Sequence, residues 1–227
     1  RVNHHRQLAT NLVEWSLTNS EMVKASFYAN HSSARTNPSN LYKTYVIPQN
    51  EIGKSAELIK ILQANRIQVS QLDKDAQVNA FSYADQKIGS FKLSKGDLAI
   101  SAYQSAAPMI QALLDPTPVL EDSVTYDITA WSLPYAYGVH GYASKEALNI
   151  QAGFEVKAAA SAIATYGYLI PYHSFASSKV LAALLHKHIK VRYAEKAFTA
   201  GGKQYEAGTL IVLKTSNQDN WSAETKA

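Results

Sequence analysis

The chain of 227 residues is 46 % hydrophobic and 18 % charged, a globular balance without the composition of a disordered segment. Its net charge of +4 comes from scattered Lys and Arg with no basic run, which argues against a nucleic-acid partner, and no apolar run has the length of a membrane span. The absence of cysteine removes disulfides, thiolate metal sites and a cysteine nucleophile together.

Leu8, Leu12, Trp15 and Leu17 fall at helical spacing, and Met22, Ala25, Phe27 and Tyr28 extend the pattern, which predicts a helix over about residues 4–32. The polar run over residues 31–40 contains Pro38 and lacks periodicity, so it reads as a loop. The chain opens at Arg1 rather than Met, inside a helix-like stretch. Residues 1–40 are therefore expected to be a helical connector from an upstream domain.

The remainder, residues 41–227, contains an internal repeat with halves at about 43–103 and 166–215. Tyr45-Val46-Ile47-Pro48 opens the first half and Tyr168-Leu169-Ile170-Pro171 the second, each an apolar strand closed by proline. Each leads through a polar loop, with N-cap candidates Asn50 and Ser55 or Ser174 and Ser177, into an amphipathic helix. Leu58, Ile59, Ile61 and Leu62 mark one helix; Val180, Leu181, Leu184 and Leu185 mark the other. Short alternating strands follow at Ile67-Gln68-Val69 and Ile189-Lys190-Val191. Then comes a turn after Phe81 or Phe198, the latter at the hairpin signal Gly201-Gly202, and a glycine-led strand from Gly96 or Gly208. Between the halves lie a helix over residues 106–114, which Ser105 would cap, and a Pro116–Pro118 turn.

Strand–helix–strand units of this length predict parallel pairing with right-handed crossovers. The expected fold is a doubly wound, mostly parallel α/β sheet holding both β-α-β units, preceded by an N-terminal helix. A single sheet is favoured because each half, at roughly 60 residues, would be marginal alone.

Catalytic chemistry is hard to place. No histidine is followed by Glu at the third position, and no His-Glu-x-x-His occurs, so no metal site is predicted. His186 and His188 point to different sides of a helix end, and His4-His5 lies in the connector. There is no Gly-x-Ser-x-Gly elbow; Ser101 or Ser105 with His140 and Asp127 makes only a nominal triad. Gly53-Lys54-Ser55 ends like a phosphate loop, but Pro48 stands where the leading glycine is needed. No catalytic residue is assigned. In α/β sheets, ligands favour the loops beyond the strands' carboxyl ends, which makes Gln49, Asn50, His173 and Ser174 ligand-binding candidates. Asp127 and Trp131 join them; with Tyr135 and Tyr137, Trp131 would form an aromatic wall or pack as core.

The segment Tyr126-Asp127-Ile128-Thr129-Ala130-Trp131-Ser132-Leu133-Pro134 resembles a stretch downstream of the peptidase domain in large secreted zinc carboxypeptidase-like proteins of the carboxypeptidase A superfamily. Tyr45-Val46-Ile47-Pro48 and Ala207-Gly208-Thr209-Leu210-Ile211-Val212 resemble the same region, itself similar to the flavodoxin-like class I glutamine amidotransferases. The resemblance implies a flavodoxin-like, amidotransferase-like fold and a secreted or periplasmic location. It also implies an upstream peptidase domain of the same polypeptide as partner. The family's His-x-x-Glu zinc pair is absent, so zinc is expected in that peptidase domain and no cofactor in this chain. The implied role is a non-catalytic accessory domain; the alternative is an autonomous module binding a peptide, glycan or small polar ligand.

Overall fold

The computed structural model describes residues 2–117, 132–154, 163–217 and 221. Two helices come first, α1 (Val2–Thr18) and α2 (Ser20–Thr36). The chain continues through β1 (Thr44–Ile47), a short 3-10 helix (Gln49–Glu51), α3 (Ile52–Ala64), β2 (Ser70–Leu72), β3 (Ala76–Ser82), β4 (Lys87–Leu93) and β5 (Leu98–Ser101). After these come α4 (Ala107–Leu114), α5 (Leu133–Tyr137), β6 (Tyr142–Ser144) and β7 (Ile150–Ala152). The last part holds β8 (Gly167–Ile170), α6 (Phe175–His186), β9 (Val191–Tyr193), β10 (Phe198–Ala200), β11 (Lys203–Tyr205) and β12 (Leu210–Leu213).

The helical start runs longer than its sequence pattern suggests. Residues 31–36, expected as loop, are helical, with the Ser33 and Thr36 hydroxyls turned back onto the Asn30 and Ser32 carbonyls at 3.0 and 3.1 Å rather than competing for the helix's N–H groups. The stretch breaks once, at Asn19, whose side-chain amide donates to the Trp15 carbonyl at 2.8 Å.

The expected doubly wound, mostly parallel, flavodoxin-like sheet is not what forms. Among the described residues, every strand pair is antiparallel. In the first unit β5 lies between β1 and β2 and runs against both, giving the local order β1-β5-β2. The second unit repeats this as β8-β12-β9. The strands flanking each helix do share a direction, as a crossover demands, but the unit's final strand separates them. The cause is the glycine turn that feeds it. Gly96 and Gly208, at φ +87° and +88°, donate their N–H groups to Leu72 and Ala194 at 2.9 and 2.7 Å. The connection from the second strand to the final one is a hairpin, β3–β4 or β10–β11, rather than a helix, and the glycine turn after it brings the chain back beside the second strand in the opposite direction.

The two units also occupy separate sheets, against the expectation of one. β6 pairs with β1 and β7 pairs with β2, so the intervening segment takes both free edges of the first unit. The resulting order is β4-β3-β6-β1-β5-β2-β7. The second unit instead meets the first through α6, which packs on α3 and carries Lys179 to within 2.6 Å of Glu57. The bond from Lys179, with a second from Lys60, holds the Glu57 carboxyl below its ordinary pKa.

Alternation along the strands builds the core. Tyr45, Ile47, Leu98 and Ile100 face Leu58 and Leu62 of α3 and Ile110 and Leu114 of α4. Val46, Ala99, Val78 and Leu93 fill the opposite face with Phe91 and Tyr142. Leu58, Leu62, Leu98 and Ile110 are fully buried, each contributing about 1.5–3 kcal/mol. A smaller cluster of Leu184, Ile189, Val212 and Trp221 holds the second sheet.

Candidate functional site

Both strand-to-helix loops begin at a proline that ends its strand, and the packing of α6 on α3 brings the two loops together. In the first, Glu51 sits at the N-terminus of α3, 5 % exposed, where the helix's free N–H groups favour an anion. Its carboxylate accepts from Lys54 Nζ at 2.9 and 3.2 Å and from the His140 backbone N–H at 3.3 Å. Burying this carboxylate is tolerable because it is paired and hydrogen-bonded.

In the second loop, Ser174 caps α6 by accepting the Ser177 N–H at 3.3 Å, and Ser177 Oγ donates back to the Pro171 carbonyl at 2.8 Å. This fixes His173 at the loop's apex. Gly138 ends α5 at φ +63° and lies so close to this loop that an added Cβ would stand 2.3 Å from the His173 carbonyl oxygen. His140 lies two residues further on. Its ring faces that of His173, with planes within 20° and centroids 6.3 Å apart. The His173 pKa is lowered, first by loss of hydration for the charged ring, then by Lys54 and His140, against an opposing pull from Glu51.

The site thus sets two imidazoles beside a buried carboxylate and its partly exposed ammonium partner at the seam between the repeated units. Such a group can exchange hydrogen bonds with a small polar ligand. Among the described residues, no three His, Asp or Glu side chains stand together as a metal site. His4, His5, His186 and His188 are exposed.

Comparison with protein-family models, with curated proteins and with solved structures gives no match.

Of the sequence candidates, His173 and Ser174 belong to this site, Ser174 as a helix cap. Gln49 turns elsewhere: its N–H donates to Asp97 Oδ1 at 3.1 Å and its amide to the Lys95 carbonyl at 3.4 Å. There it lines a separate cavity of about 720 Å³ with Gln71, Lys95 and Gln151. Asn50 is exposed in the 3-10 helix, and Ser55 is fully buried inside α3, so neither caps that helix. Asp127 and Trp131 lie outside the described residues, as does most of the segment that carries the family resemblance. Tyr135 and Tyr137 pack edge-on against Tyr83 and Phe175, each at 5.3 Å, so both join α5 to its neighbours. The hydroxyls of Ser101 and Ser105 serve the Tyr103 N–H at 3.1 Å and Arg35 Nε at 2.7 Å, so Ser105 does not cap α4. Sequence reading passed over Glu51, and it considered Lys54 and His140 only in other roles, as the end of a phosphate-loop-like run and as a nominal triad member. Glu51 and Lys54 carry a usable signal, an i, i+3 acid–base pair just after a strand-ending proline.

Proposed function

We propose that this chain is a non-catalytic accessory domain that docks through α1 and α2 onto a neighbouring domain of the same secreted or periplasmic polypeptide. The observation that carries the reading is the apolar face these helices leave open. Leu8, Leu12 and Trp15, at i, i+4 and i+7, are 68, 61 and 50 % exposed, and Phe27 on α2 is 58 % exposed. No residue of α1 described here is buried. An apolar stripe of this extent marks an interaction surface, and covering each large side chain contributes about 1.5–3 kcal/mol.

The neighbour is a zinc carboxypeptidase-like peptidase domain, on the strength of the resemblance at residues 126–134. Zinc and peptide cleavage belong to that domain, and this chain extends or steadies it. Among the described residues no helix is long and apolar enough to cross a membrane. The reading frame preceding Arg1 tests the proposal. It should encode a His-x-x-Glu pair with a later His and Glu, and its product should co-purify with this chain. Leu12→Glu with Trp15→Glu should abolish that complex and leave the chain's melting temperature unchanged, since neither side chain is buried. An upstream frame without the motif, or a complex that survives both substitutions, overturns the reading.

A second reading, an autonomous binding module, draws on the convergence of His173, His140, Glu51 and Lys54. A small polar ligand there should shift the ring resonances of both histidines, and His173→Ala should remove its affinity. A ligand screen that leaves those resonances unmoved excludes it.

A further inference from the structure

Away from the histidine pair, a groove of about 710 Å³ lies between the last turn of α2, the end of α3 and the loop after β5. His31, Arg35, Arg66, Tyr103 and Ser105 line it, and no carboxylate does. Among the described residues the ion pairs are made by lysines, and neither arginine has an acidic partner. Arg35 spends one nitrogen, Nε, on Ser105 Oγ at 2.7 Å, which orients the guanidinium and leaves its two terminal nitrogens for another acceptor.

Arg66 is placed by the backbone. It stands just past α3 at φ +58°, a position normally given to glycine and costing an arginine about 1–2 kcal/mol. His188 takes the same place after α6 at φ +57°, so the conformation belongs to the repeat and the guanidinium is particular to this groove. The wall is rigid. Gln104 accepts the Gln68 N–H at 2.7 Å and donates to the Gln68 and Ser101 carbonyls at 2.9 and 2.8 Å. A second cavity of about 630 Å³ shares His31, Arg35 and Ser105 and continues to Phe27 and Tyr28.

We infer that this groove binds a small ligand that joins an oxyanion, carboxylate or phosphate, to an apolar or aromatic group. Arg35 and Arg66 hold the oxyanion, because both line the groove, a guanidinium fork matches an oxyanion, and no carboxylate in the groove neutralises their charge. Phe27 and Tyr28 receive the apolar part. The inference shares Phe27 with the docking proposal but does not rest on it: the arginines lie outside the docking face, and the test uses the chain alone.

The test is calorimetric titration of the chain with phenyl phosphate, 3-phenylpropionate and inorganic phosphate. Phenyl phosphate or 3-phenylpropionate should bind more tightly than inorganic phosphate, and the tighter of the two identifies the oxyanion. Binding should weaken as salt is raised. Arg35→Gln and Arg66→Gly should each weaken it by about tenfold or more, and Phe27→Ala should weaken only the aromatic probes. Arg66→Gly keeps the test clean, because glycine relaxes the positive φ and the melting temperature should hold or rise. If no probe binds at millimolar concentration, or if both arginine variants bind as the parent does, the inference fails.

Discussion

Gly138 shows how little room the candidate site leaves. An alanine there would have to hold φ at +63° and place its Cβ 2.3 Å from the His173 carbonyl oxygen. Gly138→Ala should therefore lower stability by at least about 1–2 kcal/mol in urea unfolding and move the His173 resonances; an unperturbed variant would show that the loop is not held by this contact. His173 itself makes a prediction about pH. Its folded pKa lies below the ordinary 6.5, so the folded state resists protonation more than the unfolded chain does. The stability this contributes is complete above pH 6.5 and lost as pH falls toward the folded value. A proton NMR titration should place the His173 midpoint below 6.5, and a midpoint at or above it would contradict the environment described. At this scale the sequence was partly legible. His173 could be placed because it follows a strand ending in proline. His140 could not, because only the packing of α5 against a loop more than thirty residues later brings the rings together.

At the scale of elements, the duplication reaches beyond the strands and helices into side chains that no pattern of hydrophobicity reveals. Gln104 ties the Gln68 N–H and carbonyl to the end of β5; Asn217 does the same for Lys190, accepting its N–H at 2.7 Å and donating to the Lys190 and Leu213 carbonyls at 3.2 and 2.8 Å. Both helices close alike, with Ile67 N–H bonded to the Leu62 carbonyl at 3.0 Å and Ile189 N–H to Leu184 at 2.9 Å. Gln104→Ala and Asn217→Ala should each cost about 1 kcal/mol and speed amide exchange at Gln68 or Lys190 of the same unit only. Loss of protection spread through both units would mean that the clamps are not equivalent local devices. The repeat was readable because its strand, helix and glycine signals recur in order. Strand order was not. An apolar run such as Leu98-Ala99-Ile100, buried on both faces, looks the same in a parallel sheet as in the middle of an antiparallel one. What decided between them was the reach of the turn at Gly96, a tertiary property.

For the molecule as a whole, the repeated units form a scaffold joined at α3 and α6, and α2 attaches to it through α4. The scaffold's core is closed; Leu58→Ala, at a fully buried position, should cost about 2–5 kcal/mol. The helices differ in kind, since their largest apolar side chains face water and only Ala34 of α2 is buried. A helix held as loosely as α1, which packs chiefly on α2, should open often. The decisive measurement is hydrogen exchange of the α1 backbone, in this chain alone and in the longer polypeptide that includes the preceding reading frame. The docking account predicts rapid exchange over Val2–Thr18 in the isolated chain and strong protection in the longer one. Equal exchange in the two would contradict it.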